Sequence, residues 1–331
     1  MYRSCLLILL FCIPLSINGQ SSSSENDLSQ IFDIGTIYGV MIEQDGELLF
    51  DEFRGGMDAN RTTNIKSASK SVLSLLIGIA IDQQYLEGVD QQIGEFFPDY
   101  FNEHPDPVKE SLTLKNLLTM RTGMETTSFH NYGRWVVSSN WIRFALNRDF
   151  EEEPGGRMMY STGTSHLLSV ILTRATGMST LQFANQYLFG PMNITVGGWD
   201  RDPQGYYMGG NNVAISTEAL LKLGRLVMDG GVYNGRRLIS ESWIEESLEV
   251  YTHSNFNDYN FGYMWWSKPV GETYVYFAWG NGGQYILMIP ELDAVISITS
   301  DVESGSGSRA YQRNVFNFLE ETILPFLDSQ V

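Results

Sequence analysis

The pattern of polar and apolar positions changes abruptly after residue 71. Asn64-Ile65-Lys66-Ser67-Ala68-Ser69-Lys70-Ser71 is mostly polar, and Val72-Leu73-Ser74-Leu75-Leu76-Ile77-Gly78-Ile79-Ala80-Ile81 is apolar almost throughout and free of proline. That run predicts a buried helix beginning at Ser67. Upstream, Ile37-Tyr38-Gly39-Val40-Met41-Ile42 and Leu48-Leu49-Phe50 flank an Asp45-Gly46 pair and predict a β-hairpin. Downstream, helices are expected over 113–120, 135–147, 165–177, 179–188, 217–229, 240–250 and about 309–327. Gly123 and Gly177 act as stops for two of them, and Ser242-Trp243-Ile244-Glu245 reads as a capping box. Antiparallel strands are expected over 262–266, 273–278, 284–289 and 294–300. This order implies an α+β fold: an antiparallel sheet built from both chain ends and flanked by helices, with a mainly helical region inserted between them.

The first residues stand apart from this pattern. Arg3 followed by an apolar core over 5–17 is too short to span a bilayer and reads as a secretory signal peptide over 1–19, with cleavage expected after Gly19. Cys12 follows Leu9-Leu10-Phe11, which lacks the small residues a lipoprotein signal needs, so no lipid anchor is expected. Residues 20–30 are polar and read as a disordered lead-in. The reading is an exported protein, periplasmic or secreted, with no stable membrane insertion once the signal is removed. Cys5 and Cys12 leave with the signal, so the mature chain has neither a disulfide nor a thiol nucleophile. His104, His130, His166 and His253 show no metal-ligand spacing and read as surface or packing residues; no metal and no cofactor is expected. The formal net charge of -18 argues against nucleic acid and anionic membranes as partners. The oligomeric state is left open.

Three stretches carry candidate chemistry. Ser67 and Lys70 are three residues apart at a helix start, so they share a helical face and the amine can reach the hydroxyl. In dry surroundings the amine's pKa falls and it can activate serine as a nucleophile. The same spacing is also that of an ordinary N-cap serine with an exposed lysine. In Glu153-Pro154-Gly155-Gly156-Arg157-Met158-Met159-Tyr160-Ser161-Thr162-Gly163, Tyr160 precedes a buried helix. A phenol beside an ammonium loses its proton more easily, so Tyr160 could act as a base on Ser67, or could be an ordinary half-buried tyrosine. In Ala278-Trp279-Gly280-Asn281-Gly282-Gly283-Gln284, glycines at a strand end let backbone approach a ligand, or make a plain hairpin turn.

In this order the three stretches resemble the serine β-lactamase and penicillin-binding-protein superfamily, closest to its class C-like branch, which includes esterases, D-stereospecific peptidases and 6-aminohexanoate-dimer hydrolases. The resemblance runs from about Tyr38 to Phe326 and treats 31–331 as one domain, its α/β part about 31–82 and 205–331 and its helical part about 83–204. It implies Ser67, Lys70 and Tyr160 as catalytic residues, the backbone N–H groups of Ser67 and Asn281 as an oxyanion hole, and Thr162, Trp279, Gly280 and Gly282 as substrate-binding residues. Thr162 stands where the family usually has an amide side chain, and Ala278 where β-lactamases keep a cation for the substrate carboxylate. These departures point to a small-molecule ester, amide or peptide substrate, with an esterase or amidase like the 6-aminohexanoate-oligomer hydrolases ahead of a β-lactamase or D,D-peptidase. Replacing Ala278 by lysine is expected to move preference back toward carboxylate-bearing substrates. A non-catalytic penicillin-binding or sensor protein is the alternative of another class.

Overall fold

The computed structural model describes residues 27–302 and 308–330. The signal peptide expected over 1–19 lies outside them. The disordered lead-in expected over 20–30 is corrected at its end: residues 27 and 28 are helical, a 3-10 turn follows at Ser29–Asp33, and Leu28 and Ile31 are buried apolar anchors.

An eight-stranded antiparallel sheet forms the frame. Its strands are β1 (Ile37–Gln44), β2 (Glu47–Phe53), β3 (Thr252–His253), β4 (Asn260–Phe261), β5 (Trp266–Val270), β6 (Thr273–Gly280), β7 (Gln284–Ile289) and β8 (Ala294–Ser300). The spatial order is β2-β1-β8-β7-β6-β5-β4-β3, so the N-terminal hairpin joins the C-terminal strands by pairing β1 with β8. All six residues of β7 are buried, because both faces of the sheet are covered. On one face Ile286 meets Gly224 of helix α3 (Thr217–Met228), where the missing Cβ makes room; on the other, Tyr285 and Phe277 pack edge-on against Phe316 of helix α4 (Arg309–Phe318).

Helix α1 (Ser69–Asp82) is buried from Ser69 to Ala80, as expected of a helix apolar all round. It packs against helix α2 (Thr162–Thr176), and Gly78 lets the Trp243 indole lie against its backbone. Between 83 and 204 the described elements are helices and turns, apart from the short strand Gly198–Trp199 and isolated bridges. No helix among the described residues is long and apolar enough to cross a membrane.

Several local expectations are corrected. The helix expected over 135–147 is two short helices, Tyr132–Val136 and Trp141–Leu146, because Asn140 caps the second through its side chain. The strand expected over 262–266 is instead a tight turn from Gly262 to Trp265 between β4 and β5, with Met264 at φ 64°. Helix 240–250 is capped by Ser240, which accepts from the Trp243 N–H, and not by Ser242. The helix expected from 165 starts at Thr162, with Ser161 as its cap. The final helix widens into a π-turn at Leu319–Ile323 just before Pro325.

Candidate active site

Ser67 sits in a 3-10 turn, Lys66–Ala68, that leads into α1. Lys66 is held in the left-handed region at φ 49°, a strained conformation for a side-chain-bearing residue, and its N–H is fixed by the Asn64 side chain at 2.8 Å. The turn presses against the end of β6. Gly280 permits this approach, because a Cβ there would collide with the Ile65 carbonyl oxygen. The backbone N–H groups of Ser67 and of Asn281, the residue after β6, have no hydrogen-bond partner among the described residues. Both residues line one cavity. Ser69 and Ser71 are engaged elsewhere: Ser69 Oγ donates to the Lys66 carbonyl at 2.6 Å and Ser71 Oγ to the Met264 carbonyl at 2.7 Å.

Lys70 is only 2% exposed. Its Nζ donates to the Gly210 carbonyl at 2.7 Å, with Ser67 Oγ and Thr162 Oγ1 each at 3.3 Å. Among the described residues no carboxylate pairs with it, and burial pulls the amine's pKa down to about 7. Near neutral pH much of the Lys70 population is therefore a free amine beside a serine hydroxyl.

Tyr160 stands across from this pair. Its ring lies 5.0 Å from Lys70 Nζ and stacks on Trp266 at 5.8 Å between centroids. Burial pushes the phenol up to about 12, with the nearby Ser67 hydroxyl offsetting part of the rise. This corrects the expectation of an acidified tyrosine: the burial that neutralises Lys70 removes the ammonium that would have favoured a phenolate. The geometry puts a neutral amine and a protonated phenol on either side of Ser67.

Thr162, expected among the substrate-binding residues, lines the same cavity as Ser67. Its hydroxyl is occupied by Lys70 and by Ser128 Oγ at 3.0 Å, and its N–H donates to Ser128 Oγ at 2.9 Å. Ser128 lines the same cavity, and nothing in the local sequence marks it. Gly280 and Gly282 are buried and lie outside the cavity wall; Gly282, at φ 90°, backs onto Val302. They shape the backbone that presents Asn281. Trp279 does line the cavity, joined by Phe129, Tyr132, Phe256 and Asn211, around a volume of about 370 Å³. Tyr263 and Trp265 are fully buried away from it, Tyr263 stacking on Tyr251.

The support beneath Lys70 includes a histidine that the sequence offered only as packing. His166 is fully buried; its Nδ1 accepts from the Gly209 N–H at 3.2 Å, so Nε2 carries the proton and donates to Asp202 at 3.0 Å. Asp202 in turn accepts from the N–H groups of Gln204 and Tyr206. Ser165 Oγ donates to the Gly209 carbonyl at 2.9 Å. Gly210, at φ 79°, closes the segment, and a Cβ there would strike both Lys70 and Ser165. Among the described residues no group of His, Cys, Asp or Glu side chains could hold a metal ion.

A family model described as Beta-lactamase matches residues 36–315. The 6-aminohexanoate-dimer hydrolase of Paenarthrobacter ureafaciens is 22% identical in a 307-residue alignment that covers 82% of this chain and 74% of that protein. Among solved structures, a putative beta-lactamase from Bacteroides dorei DSM 17855 aligns with a TM-score of 0.74 at 15% identity, over 93% of this chain and 98% of that one. EstCE1, a hydrolase with promiscuous acyltransferase activity, gives 0.74 at 16% identity over 90% and 98%. At these identities the structural matches establish the shared fold.

Proposed function

The chain belongs to the Beta-lactamase family, and on that premise we propose that it is an exported serine hydrolase that cleaves ester or amide bonds through an acyl-serine intermediate. The observation that carries this reading is the Lys70 amine, buried without a counter-charge and held against Ser67. Neutral Lys70 accepts the Ser67 proton as Oγ attacks the substrate carbonyl. The negative charge that develops on the carbonyl oxygen meets the N–H groups of Ser67 and Asn281. Protonated Lys70 returns its proton to the leaving alkoxide or amine, with the Tyr160 phenol relaying it. Water then attacks the acyl-serine, Lys70 again taking a proton, and Ser67 is released.

The cavity supports an esterase or amidase over a β-lactamase. Five of its twelve lining residues are aromatic, Lys66 is the one cation among them, and Ala278, where β-lactamases keep the cation for a substrate carboxylate, is fully buried and outside the wall. A fluorophosphonate probe should phosphonylate Ser67 alone, with fluoride leaving, and a panel of p-nitrophenyl esters, β-lactams, D-peptides and ω-aminoacyl oligomers identifies the preferred bond. Labelling at Ser69 or Ser71, or no labelling at any pH, overturns the assignment. Export is supported by the charged start and apolar core of residues 1–19, and N-terminal sequencing of the mature protein tests it.

A further inference from the structure

Phe129 combines two features that a folded chain rarely keeps together. Its side chain is 59% exposed, and its backbone sits at φ 54°, a left-handed conformation that is an outlier for a bulky residue. Glycine or asparagine would rest there with less strain. The turn around it is fixed on both sides. The Ser128 N–H donates to Thr126 Oγ1 at 2.8 Å, and Ser128 Oγ accepts from the Thr162 N–H at 2.9 Å. The Asn131 amide donates to Glu125 Oε1 and to the Thr126 carbonyl, each at 2.9 Å. The neighbours impose the conformation, and the side chain kept in it is a ring that lines the catalytic cavity.

That ring stands at a boundary. Phe129 meets Phe256 edge-on at 5.4 Å between centroids, and both line the catalytic cavity and a neighbouring cavity of about 440 Å³ that reaches Asn257, Arg309 and Gln312. Trp279 and Asn281 line both cavities as well. The two rings also contact Tyr160, Phe129 at 6.1 Å and Phe256 at 5.6 Å between centroids. In the mechanism above Tyr160 relays the proton to the leaving group, which puts this boundary on the leaving-group side of Ser67. Resting on that serine-hydrolase reading, we propose that Phe129, braced by Phe256, is a specificity-determining residue that limits the length of the leaving alcohol or amine. The substrates it admits are esters or amides with short leaving groups. Longer chains would have to pass the ring pair to reach the second cavity.

The test varies the two halves of the substrate separately on the full-length protein. One series is the acetates of ethanol through hexanol, followed by acid release at constant pH; the other is p-nitrophenyl acetate through hexanoate. Each kcat/KM is divided by that ester's hydroxide-catalysed rate, which removes intrinsic reactivity. In the wild type the corrected value should fall along the alcohol series. Phe129→Gly suits φ 54° and opens the boundary, so each added methylene can bury apolar surface. Its value should instead rise, by at least about tenfold from ethyl to hexyl acetate. Phe256→Ala should change the slope in the same direction, and fluorophosphonate labelling of Ser67 reports an intact site in both variants. The acyl series should keep its wild-type slope throughout. A wild-type value that already rises with alcohol length, a slope unchanged in Phe129→Gly, or a change confined to the acyl series overturns the assignment and leaves the hydrolase reading standing. Turnover of no ester by the wild type together with an unlabelled Ser67 overturns both.

Discussion

Lys70 Nζ lies 2.7 Å from the Gly210 carbonyl and 3.3 Å from Ser67 Oγ, so the amine is anchored by backbone and held within reach of the serine hydroxyl. The anchor carries no charge, and burial therefore sets the amine's pKa at about 7. Lys70 acts as a base only when neutral. The kcat/KM profile should thus rise with pH through an apparent pKa near 7 and level off above it. A limb near 10, measured on an ester whose own reactivity is constant over the range, would show that Lys70 is not the base.

The same burial bears on stability. The folded Lys70 pKa lies below its ordinary 10.5, so between about 7 and 10.5 the unfolded chain binds more protons than the folded one. Folding stability contributed by this group therefore rises with pH across that window, and the full penalty of burying the ammonium is present below pH 7. Lys70→Met keeps the volume and removes the charge. It should raise the melting temperature by a few degrees at pH 6 while lowering kcat/KM by about 10²–10⁴-fold, as expected for loss of a general base. Calorimetry showing a lower melting temperature at pH 6 would contradict the account.

Tyr160→Phe should separate the tyrosine's two parts. The ring keeps its stacking on Trp266, so the melting temperature should stay within a degree or two. The lost hydroxyl removes the proton-relaying group beside Ser67 in the proposed mechanism, and kcat/KM should fall by about 10²-fold. The acid limb should remain near pH 7, because the phenol stays protonated to about 12 and does not set it. A limb that moves with this substitution would assign the titrating group to Tyr160.

His166 supports Lys70 from two peptides away. Its Nδ1 holds the Gly209 N–H, and the carbonyl of the following residue, Gly210, holds Lys70 Nζ. His166→Ala should loosen that segment and admit water around the amine, whose pKa then climbs back toward 10.5. Activity at pH 7 should drop at least about tenfold and recover when the pH is raised to about 9. A loss equal at both pH values would mean that His166 contributes packing only.

How much of this could be read in advance depends on the range of the contacts. The Ser67–Lys70 pair and the α1 helix were legible because both are local: a spacing of three residues and an unbroken apolar run. The sheet was legible in outline, since β6, β7 and β8 have strong apolar patterns. The turn at Gly262–Trp265 was not, because Tyr263, Trp265 and Trp266 look like strand residues while a crowded glycine and a left-handed Met264 dictate the backbone. Ser128, His166, Gly210 and Asn211 were invisible for another reason: each joins the site through long-range contacts, 92 residues separating Lys70 from Thr162 and 140 from Gly210. Tyr160 was placed in the site but with its acidity reversed, since depth of burial has no signature in a local motif.

Gly280 offers a test of the oxyanion geometry that spares the catalytic side chains. A methyl group there must push the Ile65 carbonyl, and with it the Ser67 turn, away from β6. The Ser67 and Asn281 N–H groups would no longer converge, and Gly280→Ala should lower kcat by about 10²–10³-fold, the loss typical of one oxyanion donor. Asn281 contributes through its backbone, so Asn281→Ala should change kcat by less than about threefold. The reverse order of effects would place the oxyanion contact on the Asn281 side chain instead.

Substrate preference is the last prediction, and it turns on Ala278. Phe129, Phe256 and Trp279 offer apolar faces that suit uncharged groups, and the one cation lining the cavity is Lys66, not a residue at position 278 where β-lactamases hold the substrate carboxylate. A short-chain p-nitrophenyl ester should therefore show a higher kcat/KM than nitrocefin or benzylpenicillin. The expectation that Ala278→Lys restores carboxylate binding does not survive the structure. Ala278 is fully buried beside Ile286 in the sheet, so a lysine there would bury an amine instead of presenting it to the cavity. An unpaired buried amine either strains the packing or gives up its proton. Ala278→Lys should accordingly lower the melting temperature and leave the ester-to-β-lactam ratio unmoved or higher. A ratio that shifts at least tenfold toward the β-lactam would show that the new amine reaches the cavity and that this strand edge can carry the carboxylate after all.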